Sequence, residues 1–106
     1  MNLGQGIRQG DVLLERIEGL PSGMTPAKPD GARHVLEYGE ITGHAHAVLE
    51  RDATLYGSNV IGQVLDVRTT TELRHEEHGA HVLAPGVYDR WVQGEYDGEE
   101  ERRVAD

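Results

Sequence analysis

Short aliphatic runs, each closed off by turn-forming residues, constrain this chain more than any other feature. The runs at residues 11–18 (DVLLERIE), 34–38 (HVLEY), 60–68 (VIGQVLDVR) and 87–96 (VYDRWVQGEY) are each flanked on at least one side by Gly, Asp or Asn. Strands of this length, spaced by turn signals, pack as small all-β barrels or sandwiches. About seven or eight strands are expected, with no convincing amphipathic helix among them. The expected fold is a single all-β domain, barrel or sandwich, over residues 1–106, with a charged C-terminal tail from about residue 97.

The alternation assigns faces along the chain. Residues 1–10 are Gly-rich and expected to be loosely held until Ile7, and Gly10-Asp11 suits a turn. In the strand that follows, Val12 and Leu14 share one face and Leu13 takes the other. Residues 19–31 hold three of the four prolines and three glycines, so a long, mobile loop is expected there. A strand over 32–38, a turn at Gly39-Glu40 and a short return strand over 53–56 come next. Residues 60–68 form the most β-rich stretch, with Gly62 as a bulge or close-approach point. Residues 69–79 read as a polar loop, 81–84 as a brief apolar piece, Pro85-Gly86 as a tight turn and 87–96 as the last strand. With no Phe, one Trp and four Tyr, the core must be aliphatic, and Trp91 is its largest candidate. The end, 97–106, is a frayed helix or a solvated tail in which Glu99, Glu100 and Glu101 precede Arg102 and Arg103.

Composition also removes function classes. Zero Cys excludes disulfides and thiolate metal sites. A formal net charge of −9 repels phosphate backbones, so no nucleic-acid partner is expected. No apolar run approaches the ~18 residues of a membrane span. The N-terminal MNLGQGIRQGD lacks the basic and apolar regions of a signal peptide, so a cytoplasmic protein without a membrane partner is expected. Ser22 and Ser58 have no adjacent His or Asp signature, which leaves no hydrolase triad to argue. A small barrel with few aromatics leaves edge strands to cover, and a homodimer, with Ile7 and Val104 contributing, would cover them.

The chemistry concentrates at residues 39–57, GEITGHAHAVLERDATLYG. On a strand, His44, His46, Val48 and Glu50 project from one face, and Ala45, Ala47 and Leu49 from the other. Two imidazoles and a carboxylate on one face make a partial shell for zinc, iron, manganese or nickel. A second cluster follows at His75-Glu76-Glu77-His78, where imidazoles at i and i+3 would meet on one face of a helical turn. The spacing is not that of a zincin, whose two His are four apart. The plainer reading is a solvated acidic loop. Joined to His44 and His46, however, His75 and His78 could complete a four-coordinate site. His81 is a further candidate.

The pattern Gly39-x4-His44-x-His46-x3-Glu50-x6-Gly57 resembles the first metal motif of the cupin family. It departs by one residue, since the family places five residues between the first Gly and the first His. Gly79-x5-Pro85-Gly86 is similar to the opening of the family's second motif, though Pro and Gly are adjacent here, and Asp89 stands where that motif has its His ligand. The resemblance implies a small double-sheet barrel with a divalent transition metal inside it, held by His44, His46 and Glu50. It leaves the remaining ligand open among Asp89, His81 and the His75/His78 pair. It also implies either metal-dependent catalysis or binding of a small-molecule ligand without turnover. The competing class is a non-catalytic structural or interaction module, in which the His cluster holds a structural metal or forms pH-sensitive surface. A saturated four-His site favours structure, and an open coordination position favours catalysis.

Overall fold

The structure is a computed structural model that describes residues 3–39, 43–58 and 62–92. Glu40 of the expected turn, Val60 and Ile61 of the β-rich stretch, and the charged tail lie outside the described residues. Nine strands are present among the described residues: β1 (Gly6–Gln9), β2 (Val12–Ile17), β3 (Arg33–Tyr38), β4 (Ala45–Leu49), β5 (Ala53–Ser58), β6 (Gly62–Val67), β7 (Thr71–Leu73), β8 (His81–Leu83) and β9 (Gly86–Val92). No helix occurs among the described residues. The fold is all-β, and every strand pairing in it is antiparallel.

Two layers result. The larger sheet has the order β1-β2-β9-β6-β5. The β3-β4 and β7-β8 pairs are joined where Ala47 and Arg74 exchange backbone hydrogen bonds of 3.0 and 2.9 Å, so the second layer reads β3-β4-β7-β8. Period-2 alternation turns one face of each layer inward. Val12, Leu14, Leu55, Leu65, Val67 and Tyr88 from the first layer meet Leu36, Val48, Leu73 and Leu83 from the second. Each fully buried Leu contributes on the order of 2 kcal/mol through the apolar surface it removes from water. The sheets remain separate layers, so of the two expected architectures the molecule is the open sandwich and not the closed barrel.

Four expectations are corrected. Trp91 is 37% exposed, and Tyr88 is the fully buried aromatic of the core. Strand β9 sends Tyr88, Arg90 and Val92 inward, which puts Trp91 on the outer face opposite Leu13. The Tyr88 hydroxyl donates to the Ala84 carbonyl at 2.7 Å, which satisfies its polar end. Residues 6–9 form a paired strand, and 71–73 form another inside the expected polar loop. The loop over 19–31 is tied along β5: Ala27 N–H donates to the Leu55 carbonyl and Gly57 N–H to the Thr25 carbonyl.

His34, on β3 opposite Val48, is 2% exposed, and its Nδ1 has no hydrogen-bond partner among the described residues. Burial pushes its pKa below the ordinary histidine value. Glu50 pulls it up and Arg68 pushes it down, both more weakly. The unfolded chain therefore takes up this proton first as pH falls below about 6.5, and stability is lost on the acid side. His34→Leu is expected to raise stability by ~1 kcal/mol at pH 7.5, because an unsatisfied buried group is removed. The gain should be larger at pH 5. Urea unfolding at the two pH values checks this, and an unchanged difference between them would exclude His34 as a source of acid sensitivity.

Candidate metal centre

One end of the sandwich collects three connections. The β1–β2 hairpin turns through Gly10 and Asp11, since Gln9 pairs with Val12. The β3–β4 connection supplies Gly39 and His44, with His46 just inside β4. The β7–β8 loop supplies His75, Glu76, Glu77 and His78. Together they enclose a cleft of about 300 Å³ lined by Asp11, His44, His46, His75, Glu77 and His78, among others.

His75 stands in the middle of the cluster. Its ring centroid lies 5.6 Å from that of His44, 4.3 Å from His46 and 4.6 Å from His78, and His46 and His78 stack at 5.7 Å. Ligand-capable atoms of His44, His75 and Glu76 lie within 4.8 Å of one another. Glycines make room for the rings. A Cβ on Gly10 would sit 2.8 Å from His78 Nε2 and 3.2 Å from His46 Cε1, and one on Gly39 would sit 3.1 Å from the His44 Cβ. Gly10 also has φ +58°, a left-handed conformation that glycine adopts without steric cost.

The electrostatics prepare the donors. His46 is 2% exposed, with Nδ1 2.8 Å from Gln9 Oε1 and Nε2 3.7 Å from Asp11 Oδ1. Burial pushes its pKa down to about 4. His75 and then His78 act in the same direction, against Asp11 and Glu76. At neutral pH the ring is therefore uncharged, the form that binds metals. Glu76 accepts from the Ala45 N–H at 2.8 Å. That bond, together with one from its own backbone, holds its carboxyl below the usual range, ahead of smaller effects from His44 and His75. His75 Nδ1 accepts from the Glu77 N–H at 3.0 Å, so a neutral His75 carries its hydrogen on Nε2. A cation held at either nitrogen would cost that hydrogen bond.

The structure thus brings His44, His46, His75 and His78 together in one cleft. Residues 75–78 do so as a bend and not as a helical turn. Glu50 stands apart. Strand β4 ends at Leu49, and Glu50 lies roughly 13 Å along the chain direction from His46 at ~3.3 Å per residue. It is exposed there, and its carbonyl accepts from Arg68 at 2.8 Å. Asp89 lies on the outer face of β9 opposite Glu15, where burial and then Glu15 push its pKa up. His81 starts β8 opposite Leu73 and is not among the residues lining the cleft. The carboxylates at the cleft are instead Asp11, Glu37 and Glu77, with Glu76 beside them. Sequence reasoning placed Asp11 only in a turn, and a turn carries no signal for what it faces.

The model of a domain of unknown function, DUF8820, matches residues 8–93. The chain belongs to the DUF8820 family. No curated protein and no solved structure matches it. The DUF8820 match takes in every group of the cleft, from Gln9 to His78.

Gly10→Ala and Gly31→Ala separate backbone strain from crowding. Gly31 has φ +64° with nothing within 4 Å of a Cβ. Both substitutions are expected to cost about 1 kcal/mol or somewhat more from left-handed backbone. Only Gly10→Ala should move the imidazole NMR signals of His46 and His78, because its methyl group meets both rings. Identical imidazole signals in the two variants would contradict the packing described.

Proposed function

We propose that this protein binds one divalent transition metal ion in the cleft through His44, His46, His75 and His78, with Asp11, Glu76 and Glu77 as the carboxylates beside them. On this reading it is a metal-dependent enzyme or a small-molecule binder. The observation that carries the reading is the convergence of four imidazoles from two separate segments around His75, one of them buried and uncharged. Burying an imidazole beside three others costs stability, and metal binding is the use for such a cluster that its donors fit. A set of nitrogen and carboxylate donors without thiolate suits zinc, nickel, iron or manganese. A metal there would supply a Lewis acid or redox centre for water, dioxygen or a small substrate.

The chain's own residues divide the work. His46 would hold the ion from the sandwich interior together with His44, His75 and His78, and the neighbouring carboxylates would offset its charge. The resemblance to the cupin motif supports the reading at His44 and His46, while Glu50 and Asp89 stand away from the cleft. A site saturated by all four His would be structural, so the catalytic or ligand-binding class requires one of these positions to open to water or substrate, and how the β7–β8 loop is already held supports that class. Glu76 bonds to the Ala45 N–H, and the Gln9 amide bonds to the Leu73 and Gly79 carbonyls at either side of the loop. No ion is needed to fix it.

Metal content and calorimetry on the purified protein test the proposal. One equivalent of ion per chain is expected. At a free concentration 100 times Kd it should stabilise the fold by ~2.7 kcal/mol. His46→Ala and His75→Ala should each lose most of the affinity, and Glu50→Ala should retain it. A wild-type protein that takes up none of zinc, iron, manganese or nickel would overturn the reading.

A further inference from the structure

Gln9 closes β1 on the inner face of the larger sheet and is 1% exposed. Its side chain reaches the other layer, where it meets three groups. Nε2 lies 2.9 Å from the Leu73 carbonyl and 2.9 Å from the Gly79 carbonyl, and Oε1 lies 2.8 Å from His46 Nδ1. We infer that Gln9 is a positioning residue that fixes Nε2 of His46 as the nitrogen offered to the metal. The inference rests on the metal reading above.

The argument is one of donors and acceptors. Backbone carbonyls only accept, so the end of the Gln9 amide facing two of them must be the nitrogen, which has two N–H groups to give. The oxygen then faces His46 Nδ1 and can only accept. His46 therefore carries its hydrogen on Nδ1 and a lone pair on Nε2. That lone pair faces Asp11 Oδ1 at 3.7 Å. Two acceptors at this separation, with no hydrogen between them, make a place for a cation. Turning the ring over would set a carbon against the Gln9 oxygen and leave a buried acceptor unmatched. Metal-bound imidazoles are oriented in this way by a hydrogen bond at their other nitrogen. The same amide ties both sides of the loop that carries His75 and His78, so ring and loop are set by one side chain.

The test begins without metal. In ¹⁵N-labelled apo protein at pH 7.5, long-range ¹H–¹⁵N correlation of the imidazoles should show His46 with hydrogen on Nδ1 and a bare Nε2. An Nε2–H ring overturns the inference. Zinc affinity is then compared among variants. Gln9→Met is of similar length and has no strong acceptor. It should remove the single tautomer and raise the zinc Kd by about 10–100-fold. Gln9→Glu keeps an oxygen toward Nδ1 and should restore the tautomer and most of the affinity, although a carboxylate donates nothing to the Leu73 and Gly79 carbonyls. A purely structural role predicts equal losses in both variants, and that result overturns the positioning role. If Gln9→Met fails to fold, the wild-type tautomer and Gln9→Glu decide. A wild-type protein with the Nδ1–H ring but no zinc binding overturns the metal reading and leaves the orienting role standing. Zinc bound by an Nε2–H ring overturns the inference alone.

Discussion

The two layers of this sandwich are joined chiefly by apolar contacts, and at one end a glutamine amide crosses between them. A buried amide is stable only when each of its donors and acceptors is matched, and a partly matched one is worse than an apolar replacement. Gln9 meets that condition with partners from β4, from β7 and from the segment before β8. The rest of the site follows from this condition. The hairpin that ends in Gln9 brings Gly10 against His46 and His78, and it sets Asp11 at the cleft. If Gln9 were displaced, hairpin, strand and loop would lose their common reference at one point.

The aliphatic remainder makes such a polar end tolerable. The core cluster holds Tyr88 as its one aromatic and is otherwise Val, Leu and Ala. The polar groups sit at the rim of the sandwich, where strands end and connections begin, so a mismatch there costs local order before it costs the fold. His34 is the contrast. It is buried away from the cleft with an unmatched Nδ1, and its cost falls on global stability and its pH dependence.

Much of the fold was legible because period-2 alternation is a local signal. Val12 and Leu14 turned inward and Leu13 outward as the pattern required, and His44 and His46 fell on the side opposite Ala45 and Ala47. Size misled where phase decided: Trp91 is the largest side chain expected in the core, but β9 buries Tyr88 and exposes Trp91, with Arg90 inward between Tyr88 and Val92. Strands β1 and β7 were not legible, because a four-residue GIRQ with a single apolar residue and a three-residue TEL are too short to carry a pattern of their own. They exist through their partners. The same limit governs the site. The four His were found as pairs in the sequence, but the groups that complete them, Asp11 and Gln9, come from a hairpin distant in the chain. Glu50 looked equivalent to His46 by parity, and parity gives the face of a strand but not the distance along it.

The charges around the cleft bear on the order of events there. Its lining includes Asp11, Glu37 and Glu77, and it includes no Lys or Arg among the described residues. The formal net charge of −9 adds an attractive field for cations at longer range. His46 does not offset these acids, since burial holds it uncharged down to a pH of about 4. An anionic small molecule approaching the empty cleft therefore meets acids of its own sign. A divalent cation seated among the imidazoles would offset two of those charges and give the anion a Lewis-acidic partner. On the proposed reading the metal must precede any anionic ligand, whereas a neutral ligand carries no such requirement. The order of addition in a binding experiment would consequently report the charge of the ligand before its structure is known.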